Sequence, residues 1–184
     1  LCRAANRLHY RARLPSSLRR AAAVIVPSRH TADALRRLFP AAAAKTHVIP
    51  LGVAPRWFVA PGAAAAATTP FPLPPRYLLF VGDLAPRKNL EGVVRAWELL
   101  RARDPALHLV LAGAPAGARL PAAPGLVRLG HVADEILPLL YARARALLLP
   151  SLDEGFGLPV LEAMAAGCPV VCSGGGPAEF AAGV

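Results

Sequence analysis

Between Tyr77 and Cys172 the chain repeats one rhythm, and that rhythm narrows the available folds more than any other feature. Short apolar runs at Tyr77 to Val81, Leu107 to Leu111, Leu126 to Leu129, Ala146 to Leu149 and Pro169 to Cys172 are interleaved with helical stretches. Asn89 is placed to cap a helix running to about Arg103, Asp134 starts one to about Arg143, and Pro159 opens one that stops at Gly167. A further helix begins at Pro177. Apolar strands without inside–outside alternation belong to a parallel sheet covered on both faces. The fold class is therefore α/β, Rossmann-like. Such sheets bind ligands outside the carboxyl ends of their strands, so the loops that follow strands are the places to seek chemistry.

Upstream the pattern is sparser. Residues 1–22 have helical composition broken by Pro15, Val24 to Val26 and His47 to Ile49 read as short strands, and Ser28 caps a helix through Phe39. From Pro50 to Pro75 the sequence turns to prolines, an alanine run and Thr-Thr, which marks a linker. The expected organisation is the tail of one domain at 1–50, a linker at 51–75 and a second Rossmann-like domain at 76–184 that the chain end truncates. Trp57 and Phe58 are expected to pack between domains and Trp97 within a core. The chain starts at Leu1 and reads as an internal piece of something longer.

The net charge of +10 raises the question of an anionic partner. Most of the arginines read as a compositional bias on solvated helix faces. Arg3, Arg7, Arg11, Arg13, Arg19 and Arg20 form a denser basic face, suited to peripheral association with an anionic membrane. Nucleic acid is not expected, because the aromatics sit in apolar runs and not among the basic residues. No run reaches the roughly 18 apolar residues of a membrane span. Cys168 and Cys172 read as inert core thiols in a reducing compartment. The five histidines show no ligand spacing, so no metal site is expected.

Two loops carry candidate chemistry. The first is Gly82-Asp-Leu-Ala-Pro-Arg87-Lys88-Asn89, where Gly82 lets backbone approach a ligand. Arg87 and Lys88 precede a helix start and could grip a pyrophosphate, one as a fork and the other as a point charge. The plain alternative is a solvated Arg-Lys pair. The second runs from Pro150-Ser151 through Glu154-Gly155-Phe156-Gly157-Leu158-Pro159 to Glu162. Its glycines permit a tight turn, and the N–H groups around Gly157 and Leu158 would point at phosphate oxygens. Glu154 and Glu162 can both face a ligand lying across the helix start, where carboxylates accept from vicinal hydroxyls. The plain alternative makes Glu162 an exposed helix residue and Glu154 a favourable charge near a helix N-terminus. Val160 stands where a third glycine would complete the dinucleotide fingerprint, so that motif is absent.

The run Glu154-Gly-Phe-Gly-Leu-Pro-Val-Leu-Glu162 resembles the two-glutamate signature of retaining glycosyltransferases with the two-domain GT-B fold, the group 1 or GT4 family. Val24-Ile-Val-Pro-Ser28, Val48-Ile-Pro-Leu-Gly52, Phe80 to Asn89 and Val127-Arg-Leu-Gly-His-Val132 are similar to the same family, in the same order. The Arg-Lys-Asn form is most similar to its mannosyltransferase branch. The resemblance implies transfer of a sugar, with mannose the leading candidate, from a GDP-, UDP- or ADP-linked donor to a glycan or lipid-linked acceptor in polysaccharide biosynthesis. It implies no cofactor and no metal. Glu154 would hold the donor sugar, Arg87 and Lys88 would neutralise the diphosphate, and Glu162 would bind the ribose. Ser151, Gly155, Phe156, Gly157 and Leu158 would line the phosphate loop, Gly82 would lie near the donor, and His131 and Val132 would flank the base. The family's acceptor-side histidine has no visible counterpart, since no His-Asp pair occurs in the first 50 residues and His30 reads as structural. Glu179 is a weaker supporting candidate. A cytoplasmic site, at the inner membrane face, follows from the donor pool. The competing readings are a non-catalytic nucleotide-sugar-binding module and a sugar-nucleotide epimerase on a related fold.

Overall fold

The computed structural model describes residues 4–60, 62, 64, 67–114, 122–174 and 179. Helix α1 (Ala4–Arg20), strand β1 (Val24–Val26), helix α2 (Arg29–Leu38) and strand β2 (Thr46–Val48) come first. They are followed by β3 (Tyr77–Val81), α3 (Leu90–Arg101), β4 (His108–Ala112), β5 (Leu126–Gly130), α4 (Leu137–Arg143), β6 (Ala146–Leu149), α5 (Leu158–Ala165) and β7 (Val170–Cys172). Strands β1 and β2 form a small parallel sheet, with Val24 opposite Thr46. The others form one parallel sheet in the order β5-β4-β3-β6-β7. The expected α/β Rossmann-like class is what the chain adopts.

The order explains where a ligand can sit. From β3 the chain winds outward to β4 and β5, then returns to lay β6 on the other side of β3, with Leu78 opposite Ala146. The winding direction therefore reverses between β3 and β6, and the crevice in which such sheets bind ligands is expected at the carboxyl ends of these two strands. Every residue of β3 is buried, as befits a central strand. Its core partners include Trp97, Leu109, Leu111, Leu147 and Leu149. Buried polar tips are satisfied: Tyr77 Oη donates to the Leu140 carbonyl at 2.8 Å and Trp97 Nε1 to the Leu107 carbonyl at 3.0 Å. Cys168 is buried and free, and desolvation pushes its thiol up to about 11, which keeps it unreactive near neutrality.

The ends of β3 and β4 meet closely. Gly82 N–H donates to the Ala112 carbonyl at 2.9 Å, and Gly113 has φ of 152°. A Cβ on Gly113 would lie 1.8 Å from the Gly82 carbonyl oxygen. Only glycine fits there, and that fit sets the floor of the crevice.

Several expectations need correction. Pro15 lies inside α1 and does not break it, since good helix formers on both sides continue the helix past the one missing N–H. The helix expected from Asp134 begins at Leu137, after a turn in which Ile136 N–H donates to the Ala133 carbonyl. Asn89 sits at the cap position but in the left-handed conformation, with no side-chain cap bond. Trp57 does not sit between domains: it is buried in the core of the larger sheet's unit, edge-on to Tyr141 with ring centres 5.9 Å apart, while Phe58 is exposed. The helix expected from Pro177 lies outside the described residues, apart from Glu179. Arg3 also lies outside them, whereas Arg13, Arg19 and Arg20 are exposed on α1. Among the described residues no helix is long and apolar enough to cross a membrane.

Candidate functional site

The loops after β3 and β6 meet at the point where the strand order reverses. After Gly82 the first loop tightens into a single helical turn, Pro86–Lys88, whose proline presets the backbone. That turn drops the Lys88 side chain back across Gly82: a Cβ there would be 3.6 Å from Lys88 Cε. Lys88 is accordingly buried, at 4% exposure. The second loop is tied to the first through its backbone, Leu152 N–H donating to the Arg87 carbonyl at 2.8 Å.

These ties bring four polar side chains together. Lys88 Nζ lies 2.5 Å from Glu154 Oε2, and Ser151 Oγ donates to the same oxygen at 3.2 Å. Arg87 Nη1 stands 3.7 Å from it, and Arg87 Nη2 donates to Asp83 Oδ1 at 3.0 Å. A buried ammonium needs a partner, and Glu154 is that partner. Arg87 is half-exposed, so its fork can turn outward to an incoming anion.

Glu162 occupies different ground. Gly157 enters α5 with φ of 88°, a conformation that favours glycine, and Pro159 follows in the first turn. One turn on, Glu162 Oε2 accepts from Tyr141 Oη at 3.0 Å. Burial raises the Glu162 carboxyl above its ordinary value of 4.5, with Tyr141's hydrogen bond working the other way. Tyr141 is itself raised well above its ordinary value, first by burial and then by the neighbouring carboxylate. Tyr141 was not singled out in the sequence. It lies in a separate helix, and no local spacing points to it.

The other expected residues are placed as follows. Ser151 and Phe156 are buried, Gly155 is exposed on the loop, and Leu158 is exposed at the start of α5. His131 is exposed past the end of β5, at the sheet edge beyond β4, while the Val132 side chain is buried in the core. Val132 could therefore offer a ligand its backbone only. His30, read as structural, has Nε2 3.1 Å from Asp153 Oδ1, a His-Asp pair assembled across the chain and so invisible in residues 1–50. Glu179 accepts from the backbone N–H groups of Arg29 and His30 at 3.0 and 2.7 Å. No cluster of metal-binding side chains occurs among the described residues.

Known proteins place the chain in a family. Residues 75–183 match the family described as glycosyl transferases group 1, and residues 3–57 match glycosyltransferase family 4. O-antigen chain mannosyltransferase B of Escherichia coli is 45% identical over 114 residues, 53% of this chain and 28% of that protein. A D-inositol 3-phosphate glycosyltransferase of Actinosynnema mirum is 36% identical over 174 residues, 83% of this chain and 42% of that protein. Among solved structures, sucrose-phosphate synthase from Thermosynechococcus elongatus superposes with a TM-score of 0.73 at 29% identity, covering 90% of this chain and 44% of that one. The chain thus spans between 28% and 42% of the length of these two curated relatives. Sequence and fold together show that it belongs to the group 1 glycosyltransferases and has the GT-B fold.

Proposed function

We propose that the whole protein transfers a hexose from a nucleoside-diphosphate sugar to a glycan or lipid-linked acceptor, with retention, and that this chain carries the donor site. The observation that supports this reading most is the convergence of Lys88, Arg87 and Ser151 on Glu154 at the sheet's reversal point. Glu154 is the carboxylate we assign to the donor sugar. Arg87 and Lys88, with the α5 N-terminus, face the diphosphate and stabilise the charge that builds as the nucleotide leaves. No metal is needed in this scheme, because the side chains and helix dipole supply the positive field. Glu162, held by Tyr141, accepts the ribose hydroxyls. His131 and the backbone at Val132 flank the base. Mannose is our leading sugar, on the strength of the O-antigen relative. We place the reaction in the cytoplasm, at the inner membrane face, with the exposed arginines of α1 turned toward lipid.

Calorimetric titration with GDP, UDP and ADP tests the reading. One nucleotide should bind, and Arg87→Ala and Glu162→Ala should each weaken it by about tenfold or more, the scale of a lost charge-assisted hydrogen bond. A folded chain that binds none of the three, alone or as the full-length protein, would overturn it.

A further inference from the structure

The loop bearing Glu154 is anchored from two sides. Upstream, Leu152 N–H donates to the Arg87 carbonyl at 2.8 Å and Ser173 Oγ to the Ser151 carbonyl at 2.5 Å. Both partners belong to the five-stranded unit. Downstream, the anchor comes from the other end of the chain. Thr31 Oγ1 donates to the Gly155 carbonyl at 2.9 Å, and Ser28 Oγ contacts the same oxygen from 127 residues away in sequence. Ser28 Oγ and Thr31 Oγ1 are themselves 3.0 Å apart. The two hydroxyl protons can both point at the two lone pairs of the Gly155 carbonyl, which leaves the Ser28–Thr31 edge as a contact without a proton of its own.

The first turn of α2 does not need the loop for its own sake. Ser28 Oγ already accepts the Thr31 N–H at 3.0 Å as a helix cap, and Glu179 takes the next free N–H groups at Arg29 and His30. The contacts to Gly155, and His30 to Asp153, are additional to the cap. Glycine at 155 suits this approach, since a Cβ there would lie 3.3 Å from Thr31 Oγ1. Ser28 is fully buried beneath it.

We propose that Ser28 and Thr31 are positioning residues for Glu154, holding the following peptide so that the carboxylate faces the donor sugar. The proposal rests on the assignment of Glu154 given above. Without this hold the peptide after Glu154 can rotate and turn the carboxylate away from the donor sugar, leaving the upstream ties and the His30–Asp153 contact to anchor the loop. A displacement of about 1 Å at such a group can cost on the order of a hundredfold in rate.

The test uses Thr31→Val, which removes the hydroxyl and keeps the shape, and Thr31→Ser, which keeps the hydroxyl. Hydrogen exchange of the wild-type chain and both variants is followed at residues 152–157 and, as control, at Tyr77–Val81. In the full-length protein, kcat is measured beside the affinity for the nucleoside diphosphate. Thr31→Val should speed exchange in the loop by about tenfold, a loss of about one hydrogen bond, with the control strand unchanged. It should lower kcat by at least tenfold (roughly one hydrogen bond) while the diphosphate binds within about twofold, and Thr31→Ser should behave as wild type. Unchanged loop exchange, or kcat and diphosphate affinity falling together, would overturn the proposal. If the wild-type protein turned over no nucleotide sugar, the functional reading would fail, and loop exchange alone would decide whether α2 holds the loop.

Discussion

Glu154 and Glu162 flank one helix start with seven residues between them, yet the fold treats them in opposite ways. Glu154 is surrounded by cationic and hydroxyl donors: Lys88, Arg87 and Ser151 all approach the same oxygen. Glu162 has one neutral donor, Tyr141, and a wall of burial that penalises its charge. The first carboxylate stabilises the fold by compensating a buried ammonium. The second is a polar group kept in an unfavourable place by its surroundings. Sites that bind or react commonly hold groups in that state, so Glu162 carries the mark of a ligand-facing group by itself, whereas Glu154 combines a fold-stabilising pair with the donor-sugar role proposed above.

The comparison can be broken most sharply at Lys88. Lys88→Met should lower stability by about 3 kcal/mol, because Glu154 loses its close partner in a largely dry site. A urea midpoint shift at constant m-value reads this, and an unshifted midpoint would mean the pair contributes nothing. Tyr141→Phe should cost less, about 1 kcal/mol, and should move the Glu162 carboxyl still higher because the bond that lowered it is gone. Titration of the Glu162 carboxyl by NMR in both proteins checks the direction. The smallest effect is expected for Glu162→Gln, which keeps an acceptor for Tyr141. Because the folded-state value of Glu162 is raised above 4.5, its favourable linkage is complete below pH 4.5 and is lost as pH rises through that raised value. Relative to wild type, the Gln variant should therefore gain stability between pH 4 and pH 7. A pH-independent difference would show that Glu162 is not held against its charge.

Much of this was legible in the residue pattern. The apolar runs placed the strands of the larger sheet within a residue or two, because a doubly covered parallel strand leaves no choice but continuous hydrophobicity. The Gly-Pro spacing located the start of α5 for the same local reason. What escaped was non-local. Tyr141 meets Glu162 across two helices, Thr31 meets Gly155 from 124 positions away in sequence, and His30 meets Asp153 over a similar span. Trp57 looked like an interdomain residue because its neighbours are linker-like, yet its large apolar ring found the nearest core. Asn89 looked like a cap, but the preceding turn delivers it in a left-handed conformation that uses the residue differently.

The placement of β6 beside β3 has a consequence for how the molecule comes into being. The Glu154 side of the crevice lies far downstream of the Lys88 side, and the two are joined only when β6 pairs with the central strand. A chain emerging from the ribosome can assemble β3, β4 and β5 in order, each beside the last. Until residue 149 and its loop have been made, Lys88 has no counter-charge and the crevice has one wall. Long-range closure of this kind is slow, so the site is among the last features to mature, and a nascent chain passes through a stage with most of its sheet and none of its chemistry.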